Sequence, residues 1–171
     1  MDMKQSFNHF AIQFLSAILL GLLLVALHSR ILGGFFAIFV PKFASPWELS
    51  KLIYWPMLGS VLFTQQAKTS AWEPGRAAAC LVLTPMALFL LCWCLSLLNL
   101  SSGVYVLLWI LVMASGMLAA TMGDADRKLS PVWLVLAVAL GMLYVIFSYM
   151  PPQWGPFLDP TDVAAMARIP Y

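Results

Sequence analysis

The sequence predicts an all-α integral membrane protein: a bundle of about five transmembrane helices with a short interfacial or re-entrant segment after the first. Three observations predict it. Of 171 residues, 63% are hydrophobic and 9% are charged, with a mean hydropathy of +0.91. A soluble domain carries about a quarter charged residues, so this surface has too few polar groups to face water and must face lipid. Apolar runs close to the length a bilayer requires, about 20 residues, recur along the chain. The segments between them are short, so residues 1–171 read as a single membrane domain. A formal net charge of +2 gives no footing for nucleic acid.

The first predicted span is 8–28. Its apolar core, Phe10 to Leu27, follows Lys4 and is longer than a signal-peptide core. No small-x-small cleavage pattern precedes His28-Ser29-Arg30, so the run is expected to be retained. Residues 31–44 are apolar but too short to cross, and Gly33-Gly34 and Pro41 interrupt them. They read as a half-buried interfacial or re-entrant element. The second span, 46–66, is the weakest, because it carries Glu48, Lys51 and Pro56. Ser45 before Pro46 is a cap followed by a first-turn proline, which starts a helix well. The third span, 76–98, contains Pro85, expected to kink it, and all three cysteines, Cys80, Cys92 and Cys94. Cys92 and Cys94 point to different sides of a helix and cannot bridge; free, buried, inert thiols are expected. The fourth span, 103–122, holds Ser115-Gly116 and Ala119-Ala120, a small-x-x-x-small surface for close helix packing. The fifth, 131–149, is preceded by Ser130 as a cap, with Pro131 at its first turn. An outer tail, 150–171, carries Pro151-Pro152 and Asp159-Pro160.

Basic residues set the expected orientation. Lys4, Lys68, Arg76, Arg127 and Lys128 fall on one side, the last four in short loops where the positive-inside rule is best obeyed. The amino terminus is therefore placed in the cytoplasm and the carboxyl tail outside a cell membrane, taken as a bacterial inner membrane. On that topology the unusual polar residues converge at the outer rim: His28, Arg30, Ser45, Trp47, Glu48, Lys51, Trp154 and Asp159 form the candidate site. Glu48 and Lys51 are three apart, share a helix face and can pair. As an interfacial couple they would be structural; as ionisable groups in a membrane segment they would mark a site. Trp47, Tyr54, Trp55, Tyr149, Trp154 and Tyr171 fit an aromatic belt at the boundary. His9 and His28 lie at opposite ends of one helix, roughly 28 Å apart, so they cannot share a metal. Asp124 and Asp126 sit in a mixed-charge turn with Arg127 and Lys128 and read as a solvated loop. Asn99-Leu100-Ser101 fits a glycosylation sequon in a loop tight against the membrane. No metal site or cofactor is expected.

Ser45-x-Trp47-Glu48-x-x-Lys51-Leu52, running on to Trp55-Pro56, resembles the signature of a bacterial family of small polytopic membrane proteins, the domain of unknown function numbered six-five-one-two. Gly21-Leu22-Leu23 before His28, and Pro151-Pro152 before Phe157-Leu158-Asp159-Pro160, follow that family's order and spacing. The resemblance implies the polytopic helical fold over nearly the whole chain and supplies no activity. The family's Asn-Glu before the serine is Phe43-Ala44 here, its histidine after Trp-Glu is Leu49, and Ala164-Ala165 stands near its Tyr-Gly. Only Ser45, Trp47, Glu48, Lys51 and Asp159 carry over.

These observations rank three functions. The first is a non-enzymatic protein that binds a partner or forms a homo-oligomer through its helix faces, as a small subunit of a membrane complex. The second is a membrane-embedded enzyme or lipid-binding protein with its polar site at the outer rim. The third is a small transporter or channel, disfavoured by the scarcity of charge within the spans.

Overall fold

The computed structural model describes residues 3–28, 34–41, 45–66, 74–96, 98, 101–122, 130–153 and 155–157, and every regular element among them is helical. In order these are α1 (Met3–His28), a 3-10 segment (Gly34–Ile38), α2 (Pro46–Gln66), α3 (Pro74–Ser96), α4 (Ser102–Met122), α5 (Ser130–Tyr149) and a 3-10 turn (Gly155–Phe157). The predicted bounds of the second helix agree with α2. α1 starts at Met3 rather than residue 8, since a helix can continue beyond its apolar run into polar residues. α3 starts at Pro74 rather than residue 76, with the proline in the first turn, where a missing N–H is harmless.

Four stretches are long and apolar enough to cross a membrane: Phe10–Leu27, Pro74–Ser96, Gly103–Thr121 and Ser130–Tyr149. The class is thus a helical, multi-pass membrane protein. α2 is not among those four, yet its 21 residues equal α4 in length, about 31 Å at the helical rise. It is also the most enclosed helix: Ser45 to Tyr54 are buried except half-buried Leu49. The protein, rather than lipid, is the solvent of its polar side chains.

Side-chain contacts fix the topology. Gln13 and Ser16 of α1 meet Ser60 of α2, and Gly21 approaches Leu52, so the two run antiparallel. Trp47 of α2 meets Phe89 of α3, and Thr84 of α3 meets Gly116 of α4, two more antiparallel neighbours. α1 also packs on α4, which closes a ring of four, and α5 packs outside it on α3. Gly75 and Ser130 lie side by side, so α3 and α5 run parallel.

Pro56 shows how the ring is held. Inside α2 it lacks the N–H that would bond the Leu52 carbonyl. The indole N–H of Trp109, from α4, donates to that carbonyl at 3.0 Å. The indole reaches it by lying across Gly21, where a Cβ would come within 2.5 Å of the ring. One glycine, one proline and one tryptophan thereby join three helices.

The 3-10 segment after α1 lies against α2 and α5. The Ile38 carbonyl accepts the Trp55 indole N–H at 2.9 Å, and Phe39 stacks edge-on against Trp55. Trp55 is nine residues into α2, about 13 Å along its axis. Ala37, Ile38, Val40 and Pro41 are buried, and the segment packs on α5.

Candidate functional site

Ser45 begins the site by capping α2. Its hydroxyl accepts the Glu48 N–H at 3.3 Å, and its carbonyl accepts the Leu49 N–H at 3.0 Å. The cap aims the first turn inward, so Trp47, Glu48, Ser50 and Lys51 are all buried. Glu48 and Lys51 form the ion pair that their spacing predicts, at 2.5 Å. Lys51 is 0% exposed and Glu48 4%, and the ammonium ends on Ser148 of α5.

The hydrogen assignments follow from counting protons. Ser148 donates to the Tyr144 carbonyl at 2.6 Å, so its oxygen is free to accept Lys51 Nζ at 2.7 Å. Ser50 donates to the Trp47 carbonyl at 2.6 Å, so Tyr144 is the donor in the 2.7 Å Ser50–Tyr144 contact. One turn deeper, the Tyr54 hydroxyl donates to the Ala137 carbonyl at 2.9 Å. It reaches that carbonyl because Gly141 leaves room; a Cβ there would lie 2.6 Å from the hydroxyl. The set is a polar junction between α2 and α5 in which the Lys51 ammonium makes charge-assisted bonds to Glu48 and Ser148, the pairing that lets ions persist away from water.

Aromatic rings close its outer end. Trp47 lies against Tyr144 (4.7 Å between centroids), Phe157 (5.1 Å), Phe147 (5.4 Å) and Phe89 (5.8 Å). Phe157 comes from the 3-10 turn, entered through Gly155 with a φ of +48°. This turn brings the carboxyl-terminal side of α5 to the start of α2, the convergence expected from topology. Among the described residues, the buried Trp47 Nε1 has no hydrogen-bond partner.

The aromatic-belt expectation is therefore corrected for Trp47, Tyr54 and Trp55. Trp47 and Tyr54 are buried and Trp55 is half-buried against the 3-10 segment after α1. Nearness to a helix end says how deep a ring sits, not whether it turns outward. Tyr149 does face outward. Among the thiols, Cys80 and Cys92 are buried, but Cys94 is exposed, contrary to expectation, because two residues along a helix is about half a turn. The small-residue face of α4 divides. Gly116 touches Thr84 and Ala120 is fully buried, whereas Ser115 and Ala119 are exposed.

Of the candidate site, the structure brings together Ser45, Trp47, Glu48 and Lys51. His28 ends α1 with its side chain outside the described residues; Arg30, Trp154 and Asp159 lie outside them altogether. So do Asp124, Asp126, Arg127, Lys128 and Tyr171, the side chain of His9, and Asn99 and Leu100 of the sequon. Sequence reasoning missed Ser50, Tyr144 and Ser148. Tyr144 and Ser148 are four apart, one face of an α5 that otherwise reads as uniformly apolar. No family model matches the chain, and neither a curated protein nor a solved structure does.

Proposed function

We propose that this protein is a non-enzymatic multi-pass membrane protein that works by associating with a partner, or with itself, through its helix faces. One observation carries the reading. Among the described residues, the polar groups of the α2–α5 junction are turned inward and bonded to one another: Lys51 to Glu48 and Ser148, and Tyr144 to Ser50. On this reading they are a lock that fixes α5 on α2. The outward small residues of α4, Ser115 and Ala119, are four apart and allow close approach of another helix. Membership of the six-five-one-two family belongs to the same proposal, with Ser45, Trp47, Glu48 and Lys51 kept for folding. So does the orientation with a cytoplasmic amino terminus in a bacterial inner membrane.

A photo-crosslinking amino acid at Ala119, with Val135 on the outward face of α5 as control, tests it. A discrete adduct of fixed mass from position 119 alone is expected in native membranes. Monomer at both positions contradicts it. The Trp47 N–H, buried and without a partner among the described residues, favours a second reading, a lipid-binding or enzymatic site at the outer rim. A headgroup retained by wild type and lost in Trp47→Phe would support that instead.

A further inference from the structure

We propose that the ring of four helices holds one acyl chain of a bilayer phospholipid in a cleft between α1 and α4. The cleft measures about 160 Å³ and is lined by α1 (Leu22, Val25), α2 (Leu49, Leu52), α3 (Leu88, Cys92) and α4 (Tyr105, Val106, Trp109). Its walls differ in a way that gives its direction. Leu52, Leu88 and Cys92 are buried and form the back, whereas Leu22, Val25 and Val106 are about half exposed and form the lips. The mouth therefore opens sideways between α1 and α4, not into the bundle. Its inner limit is fixed, because Trp109 is held to the Leu52 carbonyl and crosses Gly21.

What fills it follows from where it opens. α1 and α4 are two of the helices long and apolar enough to cross a membrane, and the lips continue their outward surface through Leu23 and Leu107. The medium at the mouth is thus acyl chain. Water is no alternative, since an apolar cavity gives it no partners and stays dry. The outermost lining residue of each helix lies three to four positions from its end: Val25 before His28, Leu49 after Ser45, Cys92 before Ser96 and Tyr105 after Ser102. That is roughly 4.5–6 Å below the rim, the depth at which a phospholipid's chain leaves its glycerol. The cleft takes the upper methylenes of one chain while the headgroup stays at the surface. It is independent of the helix-face reading, which uses the opposite half of α4.

The test is native mass spectrometry of the full chain extracted from dioleoylphosphatidylcholine nanodiscs. Wild type is expected to retain one phospholipid per protomer through delipidating detergent. Val106→Trp places an indole in the mouth from an exposed position and should abolish most of that retention, because the ring occupies the space the chain needs. Val135→Trp, exposed on α5, should leave it unchanged. In parallel, phosphatidylcholine with a diazirine in the upper chain should label 22–25 and 105–109 of wild type above Val135. Equal retention in wild type and Val106→Trp, no retained phospholipid, a free fatty acid or second copy of the chain in its place, or uniform labelling would each overturn the assignment.

Discussion

The α2–α5 and α3–α4 junctions solve the same problem in opposite ways. Between transmembrane helices there is no hydrophobic gain from leaving lipid for protein, so association rests on close packing or on hydrogen bonds. At α3–α4, Gly116 lets Thr84 touch the helix backbone, and Ala120 one turn on is fully buried. At α2–α5 the helices stay apart. Lys51, Ser50 and Tyr54 reach across to Ser148, Tyr144 and the Ala137 carbonyl. Close packing stabilises through many weak contacts and is indifferent to what else could sit there. The polar junction is selective. Its groups are satisfied only in one register, and a shift of one helix along the other leaves an ammonium and a carboxylate bare in an apolar medium.

That contrast sets the order of expected effects. Lys51→Met leaves the buried Glu48 carboxylate without its cation and should destabilise by about 3–5 kcal/mol, read by denaturant titration in mixed micelles. Gly116→Leu forces a large side chain into Thr84 at the tight junction and should cost about 1–3 kcal/mol. A loss there exceeding that of Lys51→Met would reverse the comparison. Trp109→Phe strips the Leu52 carbonyl of its donor and should also cost about 1–3 kcal/mol. Pro56→Ala restores an N–H at that position, so the loss from Trp109→Phe should shrink in its presence. Additive losses would show that the indole acts by packing alone. Tyr54→Phe should be mildest, about 1 kcal/mol, because the Ala137 carbonyl is also the acceptor for the Gly141 N–H of its own helix.

The helices were legible because bilayer length and apolarity are properties of a stretch, readable one residue at a time. So were the Ser45 cap and the Glu48–Lys51 pair, which depend on spacing within one helix. What was illegible is position in the plane of the membrane. Trp47, Tyr54 and Trp55 sit near a helix end and read as a belt, yet α2 lies inside the bundle and turns them to protein. Tyr144 and Ser148 are invisible in an apolar run until a facing lysine gives them work. Pro56 announces an orphaned carbonyl at Leu52, but nothing near it in sequence announces that Trp109, 57 residues away, supplies the donor.

The polar junction as a lock, rather than a reactive centre, is the central claim, and a double-mutant cycle on Glu48→Gln and Lys51→Met tests it most directly. The unfolding free energy of each single variant, the double variant and wild type is measured in the same micelles. Large losses are expected for both singles, with the double variant more stable than Lys51→Met alone, since the carboxylate that lost its cation is removed with it. Single variants as stable as wild type, with no coupling between the two sites, would contradict it.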